Sequence, residues 1–138
     1  MASSIQLPNF AVKVFNDGSI DNSNILSVKE NQPMVLDLWH TKCKNCPAAL
    51  EKLNKIASKR PDILFVACAL SQGEGNEEEV GDLIDEWDSL KHVFISVEVK
   101  EELKALFGFT QVPFAIVVDA VRFLLLSYKY ISCSSCSY

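Results

Sequence analysis

Two apolar runs separated by an amphipathic helix constrain the fold of this chain more than any other feature. The run MVLDLW at residues 34–39 is apolar on both faces apart from Asp37, and ILFVACAL at residues 63–70 is rich in apolar and β-branched side chains. Such runs are typical of strands that are buried on both sides of a sheet. From Pro47 onward, apolar side chains recur with helical spacing until Arg60-Pro61-Asp62 ends the pattern. Strand, helix and strand in this order predict a right-handed parallel crossover.

Further elements are predicted on either side of this unit. FAVKVF at residues 10–15, followed by the turn residues Asn16-Asp17-Gly18, predicts a hairpin near the start of the chain. Between Ser71 and Leu90 there are eight carboxylates and no Lys or Arg, and we interpret this segment as a helix with a solvated acidic face. A strand HVFISV, a helix KEELKALF and a strand FAIVVD follow. The pattern as a whole predicts an α/β fold.

The size and charge of the chain exclude several classes of function. With 138 residues, 49% of them hydrophobic, the chain has the material for one domain with a real core. The formal net charge of -5 argues against a nucleic-acid partner, because counterion release requires a clustered excess of Lys and Arg. No apolar run reaches the length of about 18 residues that a membrane span needs, and MASSIQLPNF lacks the features of a signal peptide. We therefore expect a soluble, cytoplasmic protein with no membrane contact.

The segment TKCKNCP places Cys43 and Cys46 three residues apart, at the predicted start of the helix. Five cysteines in a chain without signs of secretion argue against a static disulfide framework. A helix N-terminus lowers the pKa of a thiol, and Lys42 and Lys44 add a smaller effect in the same direction. Cys46 would then be placed to displace a mixed disulfide formed at Cys43. The pair predicts a dithiol that exchanges disulfides without a cofactor or a metal, whereas Cys68, inside an apolar run, is interpreted as a core residue.

Asp37 and Trp39 precede the pair on the predicted strand. Burial raises the pKa of a carboxyl toward neutrality, where Asp37 could accept the proton of Cys46. The alternative is a hydrogen-bonded structural aspartate. For Trp39 we expect core packing, and we also treat it as a candidate contact for a substrate beside the pair.

Four segments together resemble the thioredoxin superfamily: the buried strand LDLW, CKNCP at the start of a helix, the strand FVACAL, and QVPF before another strand. The likeness extends over residues 7–119. The opening LPNFAVKVFNDG and the acidic helix before HVFISV are similar to the TlpA, nucleoredoxin and tryparedoxin branch. The resemblance implies a thioredoxin fold, with a central mixed β-sheet flanked by helices and an N-terminal β-hairpin. It implies a thiol-disulfide oxidoreductase whose partners are a disulfide-containing protein and an upstream thiol reductant.

The resemblance also implies roles for individual residues. Cys43 would be the attacking thiol, Cys46 the resolving thiol, and Asp37 the buried acid of the family. Pro113 would follow a cis peptide bond, and the backbone of Val112 would pair with the substrate chain. Without the resemblance, Pro113 can equally be interpreted as a trans proline at the start of a strand.

Two features depart from the family pattern. Lys42 stands where an aromatic residue is usual, and Lys44-Asn45 stand between the cysteines where Gly-Pro or Pro-Pro is usual. These three residues are candidate substrate contacts, and they alter the redox poise and the docking surface. The chain also stops soon after Asp119, so the C-terminal helix is expected to be missing or replaced. We expect a domain at residues 1–125 and an irregular Cys/Ser-rich tail at residues 126–138, and an uncovered sheet face predicts low stability or self-association.

Two other interpretations remain. The pair could be inactive, in a thioredoxin-like interaction or scaffold module, and the unusual Lys44-Asn45 dipeptide and the missing helix both favour this. Cys133 and Cys136 form a second C-x-x-C that could join the first pair in a zinc site. Incidental cysteines in a disordered end are the simpler interpretation of the tail. His40, close to Cys43 in sequence, is a candidate to tune its reactivity.

Overall fold

The computed structural model describes residues 5–73 and 76–129. Within them the chain forms seven strands and four α-helices, and most of the predicted elements are found close to their predicted positions. The strands are β1 (Ala11–Asn16), β2 (Ser19–Asn24), β3 (Met34–Trp39), β4 (Leu64–Leu70), β5 (Lys91–Ile95), β6 (Phe114–Val118) and β7 (Leu124–Lys129). The helices are α1 (Ile25–Lys29), α2 (Cys46–Lys59), α3 (Asn76–Leu83), which continues into a 3₁₀ turn at Ile84–Glu86, and α4 (Val97–Phe107). None of these helices has the length and apolarity needed to cross a bilayer.

The described strands form one mixed sheet in the order β2-β1-β5-β4-β3-β6-β7. The central strands β3, β4 and β5 are parallel, which confirms the predicted crossover through α2. β6 and β1 pair antiparallel with the outer sides of this unit, at β3 and β5. The predicted N-terminal hairpin is present as β1 and β2, with Gly18 in the left-handed region at a φ of 76°. The expectation of a central mixed sheet is therefore confirmed.

The two faces of the sheet are covered by different helices. Met34, Leu36 and Leu38 of β3 belong to a core that α1 and α4 complete. Trp39 belongs to the other core, on the face that α2 and α3 cover. Because side chains alternate along a strand, Asp37 lies on the same side as Trp39, beneath α2. This alternation decides which strand residues can reach the cysteine pair.

The turn between β6 and β7 is built without a glycine. The Asp119 carboxylate accepts hydrogen bonds of 3.0 Å from the backbone N–H groups of Val121 and Phe123. On the other side of the turn, the fully buried Lys29 donates hydrogen bonds of 2.8 Å to the carbonyls of Ala120 and Val121. Burial lowers the pKa of Lys29, while the negative charge of Asp119 opposes that effect. A carboxylate and an ammonium group thus organise the turn that a glycine hairpin would otherwise form.

β7 is the last strand of the sheet and lies at its edge. It continues past residue 125, where the tail was expected to begin, to Lys129, and residues 130–138 of the tail lie outside the described residues. β7 ends at the last residue that the structure describes, so the expectation of a missing or replaced C-terminal helix lies outside the described residues. Val121, Leu125 and Leu126 are 66%, 58% and 48% exposed. The expected apolar exposure at this end of the sheet is therefore present.

Candidate active site

A disulfide joins Cys43 and Cys46 where β3 leads into α2, with 5.4 Å between their Cα atoms. The helix begins at Cys46, so the prediction that Cys43 lies at the helix start is wrong by three residues. Cys43 lies instead in the preceding turn, where its N–H donates a hydrogen bond of 3.2 Å to the carbonyl of His40. Pro47 lies in the first helical turn, where its missing N–H has no intrahelical partner to lose.

The two sulfur atoms differ in their access to solvent. Cys46, the first residue of α2, is fully buried, whereas Cys43 is only half-buried. Thiol-disulfide exchange requires a thiolate to approach one of the two sulfur atoms directly, so access decides which sulfur is attacked. An external thiolate can therefore reach Cys43 and not Cys46.

The loop before β6 closes over the disulfide. The Val112–Pro113 peptide bond is cis, as the resemblance implied. The carbonyl oxygen of Val112 lies 3.5 Å from Sγ of Cys43. Val112 is half-buried and Pro113 is buried. The group of this loop that contacts Cys43 is therefore a backbone carbonyl. The prediction that this loop packs against the cysteines is confirmed.

Asp37 is fully buried on the side of the sheet that α2 covers. Its register partners are Ala67 on β4 and Ala115 on β6. Cys46 is buried on the same side. The structure thus brings Asp37 and Cys46 to one face of the sheet, and proton transfer between them stays a prediction.

Cys68 lies on the opposite face of the sheet, in the core that α1 and α4 cover. It is a free and buried thiol, as expected for a core residue. Burial, and to a lesser extent the negative charge of Asp37, raises the pKa of Cys68 far above its ordinary value. The thiol therefore stays protonated and unreactive at neutral pH.

Trp39 was a candidate substrate contact, and the structure places it in the core instead. The residue is 1% exposed, and its ring meets that of Trp87 edge to face, with 5.7 Å between the ring centroids. A ring enclosed in this way offers no surface to a substrate. The core-packing interpretation of Trp39 is the one that the structure supports.

A buried amide anchors the turn that carries Cys43. Asn76, the first residue of α3, is 2% exposed, and its Nδ2 donates a hydrogen bond of 3.0 Å to Oγ1 of Thr41. Its Oδ1 accepts a hydrogen bond of 3.0 Å from the N–H of Gln72. Sequence reasoning missed Thr41 and Asn76, which lie 35 residues apart. The available signal was an asparagine at the start of a helix, which by itself indicates only a cap.

His40 lies beside the same turn and is half-buried. Its Nδ1 accepts a hydrogen bond of 3.2 Å from the N–H of Lys42. Burial lowers the pKa of His40, and the positive charges of Lys100 and Lys42 lower it further. The ring is therefore neutral at pH 7, with its proton on Nε2.

The other candidate contacts are at the surface. Lys42, Lys44 and Asn45 are all exposed around Cys43. Among residues 5–73 and 76–129, no group of three or more His, Cys, Asp or Glu side chains is arranged to hold a metal ion. The predicted zinc alternative includes Cys133 and Cys136, which lie outside the described residues.

Solved structures of thiol-disulfide proteins have a similar fold. The thioredoxin domain of a thiol-disulfide oxidoreductase from Bacteroides vulgatus is 15% identical with a TM-score of 0.68, covering 92% of this chain and 88% of its own. A secreted disulfide oxidoreductase of Mycobacterium tuberculosis is 15% identical with a TM-score of 0.66, covering 92% and 87%. A thiol:disulfide interchange protein from Chlorobium tepidum is 14% identical with a TM-score of 0.70, covering 93% and 86%.

No family model and no curated protein sequence matches the chain. The similarity to the solved structures is therefore one of fold. The chain has the thioredoxin fold, as its resemblance to the superfamily implied, and it carries a cysteine pair at disulfide distance.

Proposed function

We propose that the protein is a thiol-disulfide oxidoreductase that exchanges electrons with a disulfide-containing protein through Cys43 and Cys46. One observation carries the proposal. The partly exposed Cys43 is bonded to the fully buried Cys46, and Sγ of Cys43 lies beside the backbone carbonyl of Val112. An attacking group at the surface and a resolving group behind it are what a two-step exchange requires.

The exchange conserves electrons and protons at each step. In the reduced form, the Cys43 thiolate attacks one sulfur of the substrate disulfide, forms a mixed disulfide and releases the other substrate sulfur as a thiolate. Cys46 then loses its proton and attacks Sγ of Cys43. The second substrate sulfur leaves as a thiolate, which takes up a proton, and the Cys43–Cys46 disulfide forms. Two electrons have passed to the substrate, and an upstream thiol reductant restores the dithiol.

Other residues would assist this exchange. We assign to Asp37 the acceptance of the Cys46 proton, because both groups are buried on the same side of the sheet. The backbone of Val112 would pair with an extended substrate chain, since it borders the accessible sulfur. The proposed side-chain contacts around Cys43 are Lys42, Lys44 and Asn45, and the buried Pro113 would act by shaping the loop beside them. A cytoplasmic location stays a prediction.

Reduction of insulin with dithiothreitol as electron donor tests the proposal. We expect catalysed turnover by the wild type and its complete loss in Cys43→Ser. Cys68→Ala is the matched control, because that thiol lies on the opposite face of the sheet and should leave turnover unchanged. Wild-type protein that adds nothing to the rate of dithiothreitol alone would overturn the proposal and favour the interaction module.

A further inference from the structure

The two residues that flank Cys43 in sequence are both positively charged. Lys42 and Lys44 stand on either side of Cys43 and are exposed, and residues 40–50 contain no Asp or Glu. The loop on the other side of the disulfide, GFTQVP at residues 108–113, carries no charge. This local excess of positive charge contrasts with the net charge of -5 for the whole chain.

A third cation adds to this group from α4. Nζ of Lys100 donates a hydrogen bond of 3.3 Å to the carbonyl of Ser71 at the end of β4, which holds the ammonium group near the turn. The charges of Lys100 and Lys42 both act on His40, two residues before Lys42. His40 is neutral at pH 7 and so adds no charge to theirs. We call Lys42, Lys44 and Lys100 the cationic rim.

Six of the 18 acidic residues of the chain line a single groove. A groove of about 830 Å³ lies between the tip of the β1–β2 hairpin and the side of α3. The carboxylates that line it are Asp17, Glu77, Glu78, Asp82, Asp85 and Asp88. Opposite charges on two parts of one surface orient an approaching charged partner before contact.

We infer that the substrates of this site are protein disulfides whose neighbouring residues are acidic. The inference rests on the proposed function and names its substrate class. An extended substrate segment that lies along Val112 brings the residues beside its own cysteine close to Lys42 and Lys44. Carboxylates at those positions meet the cationic rim, whereas lysines or arginines there meet like charge.

The expected size of the preference follows from the exposure of the lysines. Exposed ion pairs contribute little individually, and salt screens them over about 10 Å at 0.1 M ionic strength. A substrate with lysines in place of glutamates beside its cysteines is repelled by Lys42 and Lys44 instead of attracted. This exchange should lower kcat/KM by about tenfold at low salt, which corresponds to about 1.4 kcal/mol. The preference should shrink toward unity as the salt concentration rises to about 1 M.

Three synthetic peptides test the inference. Each contains the same cysteine-bridged loop, with glutamate, glutamine or lysine at the positions beside the cysteines. We expect the wild type to reduce the glutamate peptide about tenfold faster than the lysine peptide in kcat/KM, with the glutamine peptide between them. The double variant Lys42→Glu, Lys44→Glu should reverse the order.

The matched control is the double variant Lys55→Glu, Lys59→Glu, which makes the same change in charge. Both lysines are exposed on α2, and Lys59 lies 13 residues beyond Cys46, about 20 Å along the helix. This variant should keep the wild-type order of the peptides. Comparing peptides within each variant separates substrate preference from any change in the reactivity of Cys43, which affects all three peptides alike.

Two outcomes would overturn the inference in different ways. If the wild type reduces the three peptides equally, or if the Lys42, Lys44 variant keeps the wild-type order, the cationic rim does not select the substrate although the exchange activity stands. If the wild type reduces none of them, and insulin is not reduced either, the proposed function fails and the inference fails with it.

Discussion

The hydrogen bond between Asn76 and Thr41 should influence the redox equilibrium of the disulfide. In the oxidised protein, the disulfide holds the Cα atoms of Cys43 and Cys46 5.4 Å apart. In the reduced protein, no covalent bond fixes this distance. In the oxidised form, the buried Asn76 amide holds this turn against the start of α3. A contact that favours the geometry of the disulfide stabilises the oxidised form over the reduced one.

The change Thr41→Val removes the acceptor with little change in shape. A buried neutral hydrogen bond contributes about 1 kcal/mol net. If all of it acts on the oxidised form, the equilibrium constant for disulfide formation falls about fivefold and the potential becomes about 20 mV less negative. This value is an upper limit. If the hydrogen bond also forms in the reduced protein, it stabilises both forms and that part of its free energy does not affect the potential. Thr41→Ser keeps the hydroxyl and is the matched control.

Equilibration with glutathione buffers measures the effect. The oxidised fraction of each variant is read by trapping free thiols and weighing the intact protein. We expect the potential of Thr41→Val and Asn76→Ala to shift in the same direction, and the double variant to shift little further, because both remove one bond. Urea unfolding of the oxidised proteins gives the stability change separately.

One result would refute this reasoning. If Thr41→Val lowers the free energy of unfolding by about 1 kcal/mol while its potential equals that of wild type and Thr41→Ser, the bond supports the fold equally in both redox states. Asn76 would then be a structural residue with no effect on the disulfide.

Two further predictions concern stability and association. Burial lowers the pKa of His92, although its hydrogen bond to the Trp87 carbonyl opposes this effect. As the pH drops, His92 is therefore protonated in the unfolded chain before it is protonated in the folded protein. The free energy of unfolding should fall as the pH drops below about 6.5. Urea titrations between about pH 7 and pH 5.5 should show a smaller loss for His92→Gln than for wild type, and equal losses would contradict the assignment. We also propose that copies associate through the exposed edge strand β7, where Leu125 is 58% exposed. Sedimentation should show wild-type oligomers that Leu125→Lys converts to monomers, and a monomeric wild type would exclude this.

The parts of the fold that could be predicted are those in which the local pattern and the tertiary environment agree. β3 and β4 are continuous apolar runs and α2 has a helical apolar period, and the structure places all three within a few residues of the prediction. α1 has five residues, too few to show a helical period, and its start depends on the Asn24 side chain, which accepts a hydrogen bond from the N–H of Ser27. The polar strand β2 has no alternation of its own and exists because it pairs with β1.

The terminal hairpin shows why a turn can be invisible in sequence. Glycine is common in tight turns because it adopts the conformations that they need, and residues 119–123 contain none. Here Asp119 satisfies the N–H groups of the turn and Lys29 satisfies its carbonyls. Lys29 lies 91 residues before Ala120. A turn that depends on a side chain from so distant a helix has no local signal.

The site also has parts that could be predicted from the sequence and parts that could not. The cysteine pair and the Val112-Pro113 step are short motifs, and motifs of this kind can be recognised directly in sequence. Core packing of Trp39 was expected from its strand, but its partner Trp87 comes from another element and could not be identified in advance. The bridge from Asn76 to Thr41 likewise depends on where the end of β4 places α3.

The topology of the sheet explains why the parts of the site meet at one end of the central strands. β3 and β4 are parallel, so the turn with Cys43 and the segment that leads to α3 leave the sheet at the same end. β6 runs antiparallel to β3, with Phe114 opposite Leu38, so the start of β6 lies at the end of β3. The Val112 carbonyl therefore reaches Cys43 across 69 residues of sequence. Because each contact to the disulfide comes from a different strand end, the reactivity of Cys43 should respond to changes in three separate loops, while changes at the opposite end of the sheet should affect stability alone.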